Sequence, residues 1–443
     1  MKGLRTFKKG GIHPPEKKYL SENKPIKNAV ISDLSVVALS QHLGSPSECV
    51  VNPGDEIREG MLIGKSTGFI SGNIHSPVPG KVREISDIYL PNGMTSKAVL
   101  IEMEGEFDRL GKEVIKTSWD HLSPKEIVDI INSNGIVGLG GATFPANVKF
   151  TLPKGKKAEY LVINGVECEP YLTADDRLMQ ESPDTIIEGL KLMMKTVDAP
   201  NGIIGIEKNK PDSIKVMKDK TVSIDNIKVI ELEVKYPQGG EKQLIYAAIK
   251  KEVPSGGLPM DVGVVVSNVG TASAVYEAVA LNKPFYERVV SVTGESIKDP
   301  KNVLARIGTP TSELIEFAGG LKEDVYKVVN GGPMMGAAMY EMEAPVHKGT
   351  SGILCLSKDN AKVYTELPCI SCGKCVSVCP QKLLPTDMQL LIQHGKYEEA
   401  NKLGVTRDCI LCGTCAYVCP SKRNLVHWFM VGRAKIHEMN IKA

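Results

Sequence analysis

The chain has 443 residues, 42% of them hydrophobic, and its 54 Lys and Arg against 52 Asp and Glu leave a formal net charge of +2. That length allows about three or four domains, and the interspersed charges offer no basic patch for nucleic acid. The longest apolar stretches, such as Val262–Val266, are far too short to span a bilayer, and the basic, then Pro-rich opening lacks the layout of a secretory leader, which favours a reducing cytoplasm.

The first hundred residues are rich in Gly and Pro. Turn signals at Asn52-Pro53-Gly54-Asp55, Glu59-Gly60 and Pro79-Gly80 separate short β-type runs, predicting a small all-β unit. Its Pro-Gly-Asp … His-Ser-Pro-Val-x-Gly-Lys-Val pattern resembles a biotinyl/lipoyl-type barrel-sandwich domain. Where such carriers present a lysine, this chain has Gly68-Phe69-Ile70-Ser71-Gly72, so the scaffold is expected without acylation.

From about residue 117 the texture changes. Ser123-Pro124-Lys125-Glu126 predicts a capped helix, with Ile127, Ile130 and Ile131 on its buried face. Strand-like runs at Tyr160–Ile163, Ile203–Ile206, Ile227–Leu232 and Val262–Val266 alternate with helical patterns at Asp184–Lys195 and Glu241–Lys250. Continuous apolar strands alternating with helices predict a parallel α/β sheet. A third unit, about 285–350, has strand patterns at Arg288–Thr293 and Tyr326–Val329 around an expected short helix at Val303–Ile307. The rest, 355–435, reads as helical, with Thr386–His394 and Lys396–Leu403 between the cysteine runs. The expected division is 1–112, 113–284, 285–350 and 351–443.

Eight of the 11 cysteines form Cys369-x2-Cys372-x2-Cys375-x3-Cys379-Pro380 and Cys409-x2-Cys412-x2-Cys415-x3-Cys419-Pro420. This is the run of two-cluster ferredoxins, in which the fourth cysteine serves the other cluster. One [4Fe–4S] cluster is therefore expected on Cys369, Cys372, Cys375 and Cys419, the other on Cys409, Cys412, Cys415 and Cys379. Structural zinc is the rival, but it needs four cysteines per ion and gains nothing from a third step or a Cys-Pro ending. Cys49 and Cys355 read as small buried hydrophobes, and packing is also expected of Cys168.

Gly138-Leu139-Gly140-Gly141-Ala142-Thr143-Phe144-Pro145 is a weak match to a dinucleotide fingerprint, since Thr143 replaces the third glycine and the loop follows a helix instead of a strand. Its consecutive glycines still permit close backbone approach to a phosphate, with Ala146–Phe150 as a possible following helix.

Gly135-x2-Gly138-x-Gly140-Gly141-Ala142-x-Phe144-Pro145-x3-Lys149 resembles the flavin loop of the NADH-oxidising subunit of respiratory complex I. Three further segments match that subunit in order: Asn164–Pro170 with Asp176-Arg177, Tyr236–Glu241, and Val266–Thr271. The Val-Thr-Gly … Gly-Thr-Pro … Phe-Ala-Gly-Gly pattern of the third unit resembles the soluble-ligand-binding β-grasp (SLBB) module of flavoprotein electron-transfer subunits. With the opening Phe7-Lys8-Lys9-Gly10-Gly11-Ile12-His13-Pro14-Pro15, nearly the whole chain resembles the RnfC family, the C-subunit of the Rnf complex. A microcompartment cobalamin reductase is the nearest alternative, and an electron-transfer adaptor with a vestigial flavin site another.

The Rnf resemblance implies a multidomain α/β plus β protein: a barrel-sandwich N-terminus, a Rossmann-like FMN/NADH domain, an SLBB module and a helical domain with two [4Fe–4S] clusters. It implies non-covalent FMN held by Gly138, Gly140, Gly141, Lys149, Asn164, Asn268 and Thr271, and NAD(H) as substrate contacting Phe144, Glu169 and Glu241. It also implies partners, a ferredoxin-type iron–sulfur subunit and integral membrane subunits, and a peripheral place on the cytoplasmic face of the bacterial cell membrane. Departures from the complex I pattern at Leu139, Val166, Gly240 and Gly270 make the expected flavin pocket less polar.

Overall fold

The computed structural model describes residues 4–108 and 116–441; the expected boundary at 112/113 lies outside them. Near the N-terminus, an antiparallel sheet orders Leu34–Ala38, Thr95–Met103, Gly80–Tyr89 and Glu56–Ile57. Beside it, a three-stranded sheet orders Glu48–Cys49, Leu62–Lys65 and Ile74–His75. Alternate residues of these strands, among them Val37, Ile63, Ile74, Val82, Val99 and Ile101, form one core, as expected where each sheet has one wet face. Cys49 is half-buried and packs against that core.

The residues ahead of this unit do not join it. Arg5 pairs with Leu232 and Ile12 with Tyr236, both in the α/β domain, and the Gly11 N–H donates to the Val378 carbonyl at 2.8 Å. This N-terminal strap therefore links the α/β domain to the cysteine-bearing domain.

The α/β domain holds a fully parallel sheet ordered Ile227–Leu232, Asn201–Glu207, Tyr160–Gly165, Val264–Asn268. Period-two alternation sorts its side chains. Leu161, Ile163, Ile204 and Ile206 meet the helices Pro124–Ser133, Pro183–Thr196 and Val269–Leu281 on one face. Val162, Ile203, Val264 and Val266 meet the helix Glu241–Ile249 on the other. Burial on both faces is why these strands read as unbroken apolar runs. The capping box forms as the sequence indicates, with the Ser123 side chain accepting from the Glu126 N–H and the Glu126 carboxylate from the Ser123 N–H.

The third unit is a six-stranded mixed sheet ordered Lys27–Asn28, Lys301–Arg306, Glu287–Thr293, Gly352–Ser357, Val325–Asn330 and Ala337–Ala338. The helix expected at Val303–Ile307 is a strand instead, paired antiparallel with Glu287–Thr293. Val303 and Ala305 are fully buried while Leu304 is only partly so, a period of two that a short apolar run does not distinguish from a buried helical turn. The helix comes later, at Thr311–Phe317, directly after Pro310. The Gly352–Ser357 strand extends this sheet past the expected boundary at residue 350, so Cys355, fully buried, is part of its core.

The C-terminal domain packs the helices Pro385–Gln393, Tyr397–Lys402 and Leu425–Glu438 around Met388, Ile392, Val405, Phe429 and Ile436. Its cysteine runs are copies in backbone as well as in sequence. Ser371 and Leu411 both take left-handed angles (φ 55° and 54°), followed by Gly373 and Gly413 (φ 70° and 80°) and a short helix, Lys374–Val378 or Thr414–Tyr417. Two non-glycine residues held left-handed at equivalent positions are a local strain that the site must repay. Among the described residues no helix is long and apolar enough to cross a membrane.

Candidate functional site

The winding of the parallel sheet creates a crevice. From Tyr160–Gly165 the chain moves outward to Asn201–Glu207 and Ile227–Leu232, then returns to lay Val264–Asn268 on the opposite side of its starting strand. Ligands of open α/β sheets bind outside the carboxyl ends of strands where the order reverses in this way. Asn164 and Asn268 are register partners at that point.

Asn268 is the N-cap of the 13-residue helix Val269–Leu281, its Oδ1 accepting from the Gly270 N–H at 2.8 Å. Its amide donates to Asp175 Oδ2 at 2.7 Å. The Asn164 amide donates to the Gly239 carbonyl at 2.8 Å, and its Oδ1 accepts from the Val166 N–H at 3.2 Å. The glycine loop rests on this framework. Its Gly138 N–H donates to the Phe144 carbonyl at 2.8 Å, closing the loop on itself, and its Leu139 N–H donates to Thr271 Oγ1 at 2.9 Å. Gly140 and Gly141 form the exposed tip, and a Cβ on Gly140 would stand 3.6 Å from that of Asn268. A glycine turn set against a long helix's N-terminus suits an anionic group.

The predicted residues fall into two groups around the crevice. Thr271 is buried, with its hydroxyl taken up by the loop, so it shapes the site from beneath. Lys149, on the short helix Ala146–Phe150, pairs with Glu241 at 2.8 Å, both about one-third exposed, and Phe144 is half-buried beside the loop. Glu169 stands further away, toward the cysteine-bearing domain. Its carboxylate accepts from the Met334 N–H at 3.0 Å and the Tyr236 hydroxyl at 3.3 Å, and burial pushes it up to about 7. Cys168, packed between the α/β core and the cysteine-bearing domain, accepts the Gly239 N–H.

Sequence reasoning missed three residues that organise this region. Lys18 is buried, and its Nζ donates to the carbonyls of Glu167, Glu169 and Leu172 at 2.9, 3.0 and 2.6 Å; in sequence it is one more lysine of a basic opening. Glu167 accepts from the N–H groups of Asp175 and Asp176 at 2.8 and 3.3 Å, starting the helix Ala174–Glu181. Asp175 orients Asn268, whereas the neighbouring Asp176-Arg177 pair carried the motif resemblance. Arg177 in fact turns to Glu181.

Burial, more than the attraction of Lys18, sets Glu167, whose carboxyl is pushed up to about 7. The folded chain therefore holds a proton between about pH 4.5 and 7 that the unfolded chain releases, and stability falls as pH rises through that window. Glu167→Gln has no such proton to lose. In thermal melts at pH 5 and pH 8, the wild type is expected to lose more Tm on going to pH 8 than the variant; equal losses would remove Glu167 as the source.

In the C-terminal domain, one cavity is lined by Cys379 together with Cys409, Cys412 and Cys415. The fourth cysteine of the first run thus joins three of the second, and a purely sulfur donor set suits an iron–sulfur cluster. Burial raises all four thiols, Cys409 to about 11, so cluster insertion must displace their protons. Cys369 and Cys372 are exposed, and Cys375 and Cys419 half-buried. Among the described residues no three His, Cys, Asp or Glu side chains are gathered closely enough to hold a single metal ion.

The domain docks with the Cys409 run inward. Cys412 packs in one apolar cluster with Tyr236 and Ile12, flanked by Cys168 and Met334. The Asp408 carboxylate accepts from Ser255 Oγ at 2.7 Å and the Gly256 N–H at 3.1 Å.

A glycine loop at a sheet switch point, in a domain packed against a twin-run cysteine domain, suits a flavin- and iron–sulfur-dependent oxidoreductase subunit. Family comparisons agree along the chain. Residues 6–106 match the RnfC barrel sandwich hybrid domain, 131–277 the Nuo51 FMN-binding domain, 289–338 the SLBB domain, and 368–423 the 4Fe-4S dicluster domain. The cofactors are accordingly FMN and two [4Fe–4S] clusters. The chain is 45% identical over 425 residues to the C-subunit of the proton-translocating ferredoxin:NAD(+) oxidoreductase complex of Clostridium ljungdahlii, covering 96% of this chain and 93% of that one. It is 42% identical over 432 residues to the C-subunit of the Na(+)-translocating ferredoxin:NAD(+) oxidoreductase complex of Acetobacterium woodii, covering 97% of each. An NAD+-reducing [NiFe]-hydrogenase shares the fold, with a TM-score of 0.50 at 16% identity over 74% of this chain and 64% of that one. The chain belongs to the RnfC family, as an electron-transfer subunit of a multisubunit Rnf complex.

Proposed function

We propose that this subunit exchanges hydride between NAD(H) and FMN in the switch-point crevice and relays single electrons through its two clusters to or from partner subunits. Bound FMN supplies the conversion between two-electron nicotinamide chemistry and one-electron cluster chemistry. Gly138 shapes the loop, Gly140 and Gly141 bring backbone N–H groups to the FMN phosphate and ribityl chain, and the Asn268-capped helix adds its positive end. Thr271 holds the loop in place, Asn164 hydrogen-bonds the flavin, and Lys149 contributes cationic charge beside it. Phe144, Glu169 and Glu241 contact the incoming nucleotide, Glu241 after parting from Lys149. Hydride transfer needs no general base, and none is assigned.

The docking of Cys412 against Tyr236 carries the reading, because it sets one thiol tetrad beside the flavin domain and leaves Cys369 and Cys372 at the surface. Electrons accordingly pass between the crevice and the cluster on Cys379, Cys409, Cys412 and Cys415, and between the cluster on Cys369, Cys372, Cys375 and Cys419 and the partners. Those partners are a ferredoxin-type iron–sulfur subunit and integral membrane subunits, with this chain peripheral on the cytoplasmic face. Anaerobic reconstitution is expected to yield about eight iron and one FMN per chain and FMN-dependent NADH–ferricyanide activity. A chain with both clusters but neither bound FMN nor NADH oxidation would be an electron-transfer adaptor instead.

A further inference from the structure

The barrel-sandwich unit has no lysine in its Gly68–Gly72 segment, and electron relay gives it no task. Its contacts supply one. Lys348, between the strands Ala337–Ala338 and Gly352–Ser357 of the third unit, is 1% exposed. Its Nζ donates to the Asn73 carbonyl at 2.7 Å and to the Gly135 carbonyl at 2.6 Å. Its own N–H donates to Gln41 Oε1 at 3.0 Å, and its carbonyl accepts from Arg288 Nη1. Asn73 and Gln41 belong to the barrel-sandwich unit, Gly135 is the root of the glycine loop, and Arg288 lies in the mixed sheet. One side chain thus joins three units.

We propose that Lys348 is a positioning residue for the nucleotide crevice, pinning the glycine loop against the barrel-sandwich unit, which serves as the crevice's fixed outer wall. The proposal rests on the flavin reading of that crevice. Gly135 shows how tightly the pin draws the parts together. It has φ +67°, and a Cβ there would lie 2.2 Å from the Asn73 carbonyl oxygen and 2.8 Å from Lys348 Nζ, so no other residue fits. The far end of the loop is held by the same wall, with the Leu43 N–H donating to the Thr143 carbonyl at 3.2 Å. The Asn73 amide donates to the Ser133 carbonyl at 3.3 Å, at the end of the preceding helix. Both ends of 135–143 are therefore tied to a unit that is distant in sequence.

The chemistry of the pin suits a dry site. Burial lowers the Lys348 amine to about 7, and with or without its extra proton it carries enough N–H donors for its two carbonyl acceptors. Where a carrier domain would offer its own lysine at the hairpin tip, the residue after Gly68–Gly72 accepts one from another unit.

The test is Lys348→Met in the full chain, read by amide hydrogen exchange without FMN and by FMN titration. Leaving two buried carbonyls unpaired is expected to speed exchange across 135–144 about tenfold or more, with the strand Tyr160–Gly165 and helix Pro385–Gln393 unchanged. FMN affinity should fall by about tenfold as the loop loosens. Uniform acceleration throughout the chain, or an unaltered loop, would overturn the proposal. If Lys348→Met does not fold, Gln41→Leu, which leaves the Lys348 side chain in place and frees the Lys348 backbone N–H and the Ala38 carbonyl, decides by the same readout with a smaller acceleration of the loop expected. Wild-type chain that binds no FMN would defeat the flavin reading, while exchange in the loop would still report on the pin.

Discussion

Cys379→Ala is expected to lower iron from about eight to about four per chain by emptying the site on Cys409, Cys412 and Cys415. The reason is the cavity that Cys379 shares with those three thiols. Double variants identify the lost cluster. With crossed ligation, Cys379→Ala with Cys412→Ala retains about four iron, whereas Cys379→Ala with Cys372→Ala retains almost none; uncrossed ligation reverses the two results. The same single variant tests the order of the path. NADH–ferricyanide activity should survive, since the crevice is in another domain, but NADH should no longer reduce the remaining cluster, followed by its electron paramagnetic resonance signal. Rapid reduction of that cluster would mean that it has its own route to the flavin. Cys419→Ala should leave NADH reduction of the cluster beside Tyr236 intact.

Asn268→Ala is expected to weaken FMN binding markedly. Losing the cap of Val269–Leu281 costs about 1 kcal/mol. Stripping a part-buried carboxylate of its hydrogen bond, here Asp175, adds about 1–3 kcal/mol. If half of that appears in the bound state, FMN affinity falls by roughly five- to thirtyfold. Asn268→Asp separates capping from orientation. It keeps an acceptor for the Gly270 N–H, so the helix should persist, but it sets a second carboxylate against Asp175 and beside the phosphate position. FMN titration of refolded apoprotein and Tm together check this: near wild-type affinity in Asn268→Asp would show that capping alone matters.

Much of this architecture was legible because its signals are local. Two-face burial made the parallel strands continuous apolar runs, Ser123 and Glu126 spelled out a capping box, and ligand spacing is a property of neighbouring residues. The misreading at Val303–Ile307 has a physical origin: five mostly apolar residues fit either period, and only the partner strand Glu287–Thr293 decides. Lys18 and Lys348 were invisible for a related reason. A lysine becomes a structural donor only through carbonyls more than a hundred residues away in sequence, as Glu167 and Gly135 are. Asp175 was passed over because its role depends on Asn268, which the sheet winding brings back beside it. The sequence could name candidate ligands; it could not say which of them brace others.

The N-terminal strap has a consequence for biosynthesis. Its Gly11 is bonded to Val378, next to a cluster cysteine, so residues made early contact residues made far later. That contact cannot form until the cysteine-bearing segment has been made, and closures over such separations come late in folding.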